Sequence, residues 1–258
     1  MNIFYTFSAV IVGVIVGSFL NVCIYRIPLN ISIITGNSGR SMCTSCKHTL
    51  KGYDLIPVLS WVFLRGRCRY CGDKISARYP MVEAINAILW GACIYNFGLN
   101  AEGIIYSIFC SVLLVLSMID IDIQEIPYRM QVIILILAFM LWGFSGFEGS
   151  ADKLLGLVAV SIPMAIITII TGGFGGGDIQ LVATSGLLLG LKNIIFGSIV
   201  GIILGGIAGI VSLLLIRNEN SNESGEKRRM PFGPFLSAGM VISIFFGEQI
   251  VNWYIGFF

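Results

Sequence analysis

Ile104-Ile-Tyr-Ser-Ile-Phe-Cys-Ser-Val-Leu-Leu-Val-Leu-Ser-Met-Ile-Asp120 decides the class of this fold. An unbroken apolar run leads directly into a carboxylate. With its flanks it forms a segment, 103–121, near the roughly 20 residues that span a bilayer as helix. Seven more such segments can be drawn, at 3–25, 81–98, 130–147, 153–171, 178–191, 193–216 and 234–256. The composition agrees: 56% of residues are hydrophobic, 12% are charged, and the mean hydropathy is +0.90. A soluble domain carries roughly 25% charged residues. The sequence therefore predicts an all-α polytopic membrane protein of about eight transmembrane helices. The sixth segment is short, and only Gly190-Leu-Lys-Asn193 separates it from the seventh.

Charge sets the expected orientation. No Lys or Arg precedes the first apolar run, and Arg26 follows it, which argues for a first helix rather than a signal peptide. The loop 26–80 holds Arg26, Arg40, Lys47, Lys51, Arg65, Arg67, Arg69, Lys74 and Arg78. Arg129 lies between the third and fourth segments, and Arg217, Lys227, Arg228 and Arg229 lie before the last. Threading eight spans puts fourteen of the 16 basic residues on one side, leaving Lys153 and Lys192 opposite. The positive-inside rule makes the crowded side cytoplasmic and the N-terminus external. The basic residues form no stripe with interleaved aromatics, so nucleic-acid binding is not expected.

Four of the seven cysteines form Cys43-Thr-Ser-Cys46 and Cys68-Arg-Tyr-Cys71. Each pair can bring two thiolates to one ion through a tight turn, and two pairs complete a tetrahedral Zn²⁺ site. Two disulfides are the competing arrangement, disfavoured in a reducing cytoplasmic loop. Four sulfurs leave no open position, so the zinc is expected to be structural. His48 is expected to be an ordinary loop residue. Cys23, Cys93 and Cys110 lie in apolar segments as small buried side chains. The stretch Asp54–Arg65 between the pairs is too short to span. It is expected to pack on the zinc knot or rest at the membrane surface. Residues 40–75 thus form a small cytosolic zinc-binding module between helices 1 and 2.

Two carboxylates remain beside lipid, where they are costly and point to function. Asp120 ends the third segment. Asp178 closes Thr171-Gly-Gly-Phe-Gly-Gly-Gly-Asp178 and starts the sixth. The charge-derived orientation brings both to the cytoplasmic face. Asp122 lies two residues from Asp120 and so points elsewhere on a helix. With Glu125 it is expected to be solvated. Helix N-capping is the structural alternative for Asp178. It leaves Gly172, Gly173, Gly175, Gly176 and Gly177 unexplained, and such glycines, Gly175, Gly176 and Gly177 above all, suit the close approach of an extended substrate strand. Two adjacent carboxylates cannot both ionise, so one stays protonated while the other activates water. A transporter with intramembrane carboxylates is the rival class, but it should show a repeat and polar groups at mid-membrane. A scaffold using the zinc knot for docking leaves the acids unexplained.

Five motifs in order resemble the bacterial type IV prepilin peptidases (leader peptidase/N-methyltransferases). They are Gly17-Ser-Phe-Leu-Asn-Val-Cys-Ile-Tyr-Arg-Ile-Pro28, the two Cys-x-x-Cys pairs, Arg78-Tyr-Pro-Met-Val-Glu83, Gly175-Gly-Gly-Asp178 and Pro231-Phe-Gly-Pro234. The fourth, in Gly-x-Gly-Asp form, is shared by membrane aspartyl proteases. The resemblance implies that Asp120 and Asp178 are a catalytic pair in a multi-pass protein of the bacterial inner membrane. It implies cleavage of the basic leader of prepilins or pseudopilins at the cytoplasmic face. Methylation of the new N-terminus from S-adenosylmethionine would follow, a peptidase without methyl transfer being the alternative. The chain then divides into a first helix, 1–25, a cytosolic loop with the zinc module, 26–80, and a seven-helix membrane protease domain, 81–258. Pro127-Tyr128 departs from the family, where an acid usually follows the proline. Glu83 is expected to be an acid favoured by the helix dipole.

Overall fold

The computed structural model describes residues 2–33, 41–216 and 230–256. Of the basic residues used for orientation, Arg40, Arg217, Lys227, Arg228 and Arg229 lie outside them. The described chain is all-helical apart from two isolated antiparallel bridges, Met42–Thr49 and Arg67–Lys74. Its helices are α1 (Asn2–Arg26), α2 (Leu59–Phe63), α3 (Arg78–Phe97), α4 (Ala101–Ile123), α5 (Tyr128–Phe144), α6 (Ser150–Ala159), α7 (Ser161–Thr171), α8 (Gly176–Leu189), α9 (Leu191–Ile216) and α10 (Gly233–Ile255).

Every apolar segment expected from the sequence is helical. Among the described residues, five spans are long and apolar enough to cross a membrane: Ile3–Arg26, Ala101–Ile123, Ser150–Thr171, Leu191–Leu214 and Gly233–Tyr254. Helix α3 is more polar, and α5 and α8 are shorter. At 14 residues, α8 covers about 21 Å, less than a hydrocarbon core of roughly 30 Å. The third of the five spans is broken at Val160 into α6 and α7. Pro163 explains the break. It has no N–H to give the carbonyl of Ala159, and its ring crowds that carbonyl. Large apolar side chains such as Ile169 (85% exposed) point outward along these helices, as lipid-facing residues must.

The chain forms two compact units, 1–115 and 116–258. In the first, α1 packs along α3. A methyl group added at Gly17 would lie 2.7 Å from the Glu83 Cα, so the backbones approach closely there. A buried polar chain ties three helices together. Asn86 donates to the Gly13 carbonyl (2.7 Å), Ser111 donates to Asn86 (2.7 Å), and Trp90 donates to Ser111 (2.8 Å). Such bonds hold helices where apolar surface alone gives no preference.

In the second unit, α8 contacts α5, α6, α7, α9 and α10. Its C-terminal half is buried, with Leu187, Leu188 and Leu189 all in the core. Helix α6 crosses it at Gly156, where an added methyl would lie 2.5 Å from the Gly186 carbonyl oxygen. Helices α9 and α10 cross in the same way at Gly201, where a methyl would lie 2.9 Å from the Leu236 Cα. Gly190 alone, at φ +81°, separates α8 from α9. These contacts seat α8, whose first turn carries Asp178, among its neighbours in the second unit.

Candidate active site and metal centre

Asp120 and Asp178 both belong to the second unit, and both are buried, at 5% and 8% exposure. Asp120 sits on the last turn of α4, where the helix dipole opposes a negative charge. The opposition is offset by the start of another helix. The Gly233 N–H, at the first residue of α10, donates to Asp120 Oδ2 at 2.9 Å. Phe232 precedes that residue and Pro234 follows it, in the first turn where proline's missing donor costs nothing. Position 233 has no room for a side chain. A Cβ there would lie 2.9 Å from Asp120 Oδ2 and 3.2 Å from its Cγ.

Asp178 is not the N-cap. Gly175 takes that position, and Asp178 lies three residues further on, inside the first turn of α8. Its Oδ2 accepts the Gly175 N–H at 3.2 Å, while its own N–H donates to the Gly175 carbonyl at 3.1 Å. Reciprocal bonding of this kind serves a helix start, yet Gly175 brings no side chain to complete it. Each carboxylate is thus held by a glycine N–H at the start of a helix, Gly233 of α10 for Asp120 and Gly175 before α8 for Asp178.

The glycine run has several separate duties. Gly172, at φ +67°, ends α7 in the left-handed region. Gly177 lets the start of α8 rest on Ile126, whose Cβ would be 2.9 Å from an added methyl. Gln131 of α5, itself buried, donates to the Gly177 carbonyl at 3.1 Å. The residues just after α4 thereby brace the loop that carries Asp178. Gly176 has open space where a side chain would be.

Asp122 and Glu125 are exposed, as expected. Tyr128, where the family carries an acid, is 71% exposed at the start of α5. The sequence did not single out Gln131, and it gave Phe232 and Gly233 only as parts of a motif. Two prolines flanking Phe-Gly just before an apolar run were the available signal.

Cys43, Cys46, Cys68 and Cys71 place their sulfurs within 4.8 Å of one another, with Cys43 and Cys71 at 3.9 Å. A tetrahedron of thiolates about 2.3 Å from zinc has edges of about 3.8 Å, so the four residues fit the ion. Each pair lies in its own small hairpin, and the two hairpins are built alike. Cys43 N–H donates to the His48 carbonyl (3.0 Å) and Cys68 N–H to that of Asp73 (2.8 Å). Lys47 and Gly72 close the two turns in the left-handed region, at φ +57° and +78°. The N–H groups of Cys46 and Ser45 draw the Cys43 thiol down to about 6, toward the thiolate a metal needs. The Asp73 N–H also favours a Cys71 thiolate. Desolvation and the neighbouring thiols outweigh it and push Cys71 up to about 12.

Around the knot, Arg69 pairs with Asp54 at 2.7 Å and lies 5.0 Å from the Tyr53 ring centre. His48 stacks on Tyr70, with ring centres 3.7 Å apart. Trp61 of α2 donates to the Ile75 carbonyl at 3.0 Å, so the stretch between the cysteine pairs does pack on the knot. Its Leu59, Val62 and Phe63 face outward.

Glu83 is more than a helix-end acid. It is buried at 7% exposure, and its Oε2 accepts the Val58 N–H at 2.7 Å. Ser18 and Asn21 of α1 also hydrogen-bond to it. Val58 holds φ +58°, ψ −52°, with Leu59 N–H bonded back to the Pro57 carbonyl. That strained γ-turn of a β-branched residue is tied to the membrane helices by the Glu83 carboxylate.

Residues 11–97 match the family described as Bacterial Peptidase A24 N-terminal domain, and residues 107–210 match the Type IV leader peptidase family. A "Prepilin leader peptidase/N-methyltransferase" of Bacillus subtilis (strain 168) is 34% identical, over 95% of this chain and 96% of that protein. Proteins of the same description from Stutzerimonas stutzeri and Aeromonas hydrophila are each 30% identical. They cover 98% and 94% of this chain, and 94% and 91% of their own lengths. No solved structure matches the chain. With similarity of this extent running through both the cysteine knot and the aspartate pair, the chain belongs to the type IV leader peptidase family.

Proposed function

We propose that this protein is a membrane-embedded aspartyl endopeptidase of the bacterial inner membrane. It removes the basic leader of prepilins or pseudopilins and then N-methylates the new N-terminus. The carrying observation is the buried pair, Asp120 and Asp178, each gripped by a glycine N–H in a family whose named members are leader peptidases.

The chemistry follows from two close carboxyl groups. One holds a proton and the other is ionised, and the pair titrates as a unit. The ionised group takes a proton from water as the water oxygen bonds to the scissile carbonyl carbon. The protonated group gives its proton to the carbonyl oxygen. As the diol collapses and the C–N bond breaks, the leaving amine takes a proton from the newly protonated carboxyl group while one diol hydroxyl returns its proton to the other, which restores the singly protonated pair. The products are a leader with a new carboxylate and a mature chain with a free amine. Gly175, Gly176 and Gly177 form the edge along which the extended substrate lies, a reading supported by the open space above Gly176.

The basic-residue distribution supports a cytoplasmic position for residues 26–80 and for the Asp pair, with the N-terminus outside. Within that orientation, 1–25 is a first transmembrane helix and 81–258 the membrane protease portion. Cys43, Cys46, Cys68 and Cys71 hold a structural Zn²⁺ that fixes the cytosolic knot. S-adenosylmethionine is the methyl donor that the relatives' second activity implies.

The test uses purified full-length protein in lipid nanodiscs with a prepilin, with and without S-adenosylmethionine, and reads product masses. Leader loss in both conditions, with one added methyl group when the donor is present, is expected. Intact prepilin under both conditions would refute the peptidase. Cleavage without the added methyl would leave the peptidase-only alternative.

A further inference from the structure

The two carboxylates are gripped in the same way. Asp178 accepts the N–H of Gly175, and Asp120 accepts the N–H of Gly233. In the sequence, each of those glycines directly follows a phenylalanine: Phe174-Gly175 and Phe232-Gly233. The two phenylalanine rings meet, with centres 5.3 Å apart and planes inclined at 55°. That separation is within the range of attractive aromatic pairs. The two loops that donate to the acids are therefore joined one residue before each donor.

The pair is also seated from outside. The Phe232 ring rests on α9 at Gly205, where an added Cβ would lie 2.5 Å from one ring carbon and 3.0 Å from the next. Phe174 stands between Gly173 and Gly175 in a loop with little side-chain packing of its own. Gly172 and Gly176 have nothing within 4 Å of an added Cβ. A glycine-rich loop is conformationally permissive and needs an external contact to hold one position. The Phe232 ring supplies such a contact at Phe174, on the far side of Gly175 from the Ile126 and Gln131 contacts at Gly177.

We propose that Phe174 and Phe232 form an aromatic clasp that sets the spacing of the Asp120–Asp178 pair by holding both glycine donors in place. They are positioning residues: they act through Gly175 and Gly233 and not on the substrate. The inference rests on the peptidase reading above. It adds that the geometry of the pair depends on a contact between two loops far apart in sequence, seated on α9.

The test compares wild type, Phe174→Ala, Phe232→Ala, the double variant, Phe174→Tyr and Gly205→Ala in nanodiscs. Each is assayed for kcat and KM of prepilin cleavage, zinc content and thermal midpoint. Misplacing a reacting group by about 1 Å can cost about 100-fold in rate. Each alanine variant should therefore lose about 10- to 100-fold in kcat, with KM within about twofold of wild type. The double variant should be no worse than the poorer single, because both remove one contact. Phe174→Tyr keeps the ring and should keep kcat. Gly205→Ala, which touches neither loop's backbone, should lower kcat by displacing the Phe232 ring.

Unchanged kcat in both alanine variants would overturn the clasp. So would a rise in KM with kcat kept, which would make the rings a substrate subsite, or losses that multiply in the double variant. Should an alanine variant fail to fold, Phe174→Leu and Phe232→Leu, which fill the space without a ring, replace it and are judged by the same criteria. Asp120→Asn separates the two levels. If it still cleaves, the peptidase reading fails. If it is inactive while the phenylalanine variants are fully active, only the clasp fails.

Discussion

Replacing Gly233 by alanine should disarm the site without unfolding the protein. The new methyl would lie 2.9 Å from Asp120 Oδ2, 3.2 Å from Cγ and 3.4 Å from Cβ. The 2.9 Å approach to Oδ2 is shorter than a methyl group tolerates, and the 3.2 Å approach to Cγ is tight, so something must shift. The carboxylate must turn away, or α10 must lift from the end of α4. Either way the 2.9 Å bond from the Gly233 N–H to Asp120 is lost. A hydrogen bond to a charged group contributes about 1.5–3 kcal/mol. At 1.4 kcal/mol per factor of ten, this is a loss of about 10- to 150-fold in kcat/KM if the bond is fully expressed in the transition state. The assay is leader cleavage by purified Gly233→Ala in nanodiscs under multiple-turnover conditions, with zinc content as the check on folding. Activity within twofold of wild type would refute the reasoning, because it would mean that the Gly233 donor does not hold Asp120 in its working position.

Other expectations follow from the same contacts. Gly177→Ala puts a methyl 2.9 Å from the Ile126 Cβ and should lower cleavage, with Ile126→Ala in the same chain restoring part of the rate. In the cysteine knot, Lys47 occupies the left-handed conformation that Gly72 takes in the matching hairpin. Lys47→Gly should therefore stabilise the knot by about 1 kcal/mol, read as slower zinc release to a chelator. The Asp54–Arg69 pair gives a pH dependence. Desolvation pushes the Asp54 carboxyl up, but the Arg69 guanidinium, the Lys51 N–H and the Tyr70 hydroxyl outweigh it and hold the carboxyl below 3.8. A depressed folded value gives stability that is present above about 3.8 and is lost as pH falls through the lower folded value. The stability gap between wild type and Asp54→Asn should be full at neutral pH and close in that acidic window. Tryptophan fluorescence of the knot reads it.

The sequence showed the helices through hydropathy and the cysteine knot through spacing, because both signals are local. Segment limits came within a few residues of the helix ends. The break at Val160 was missed, although Pro163 announces it four residues after Ala159. Its place after a run of glycines makes Asp178 an N-cap candidate in the sequence. The structure moves it three residues into α8 and gives the cap to Gly175. What hydropathy could not show were pairings across the chain: Gly233 with Asp120, Gln131 with Gly177, Phe174 with Phe232 and Glu83 with Val58. Each joins residues from different helices or loops, and their contact depends on how the helices pack rather than on any periodicity. The glycine run was legible as a close-approach element. Only the structure separates the helix end at Gly172 and the packing contact at Gly177 from the open position at Gly176.

The central claim is that Asp120 and Asp178 together perform the hydrolysis. The most direct measurement is single-turnover leader cleavage by Asp120→Asn, Asp178→Asn and Asp122→Asn, each purified with its zinc retained. Replacing either buried acid should abolish the cleaved product, while Asp122→Asn, which changes an exposed side chain two residues from Asp120, should cleave at close to the wild-type rate. Cleavage by Asp120→Asn or Asp178→Asn at the wild-type rate would contradict the account.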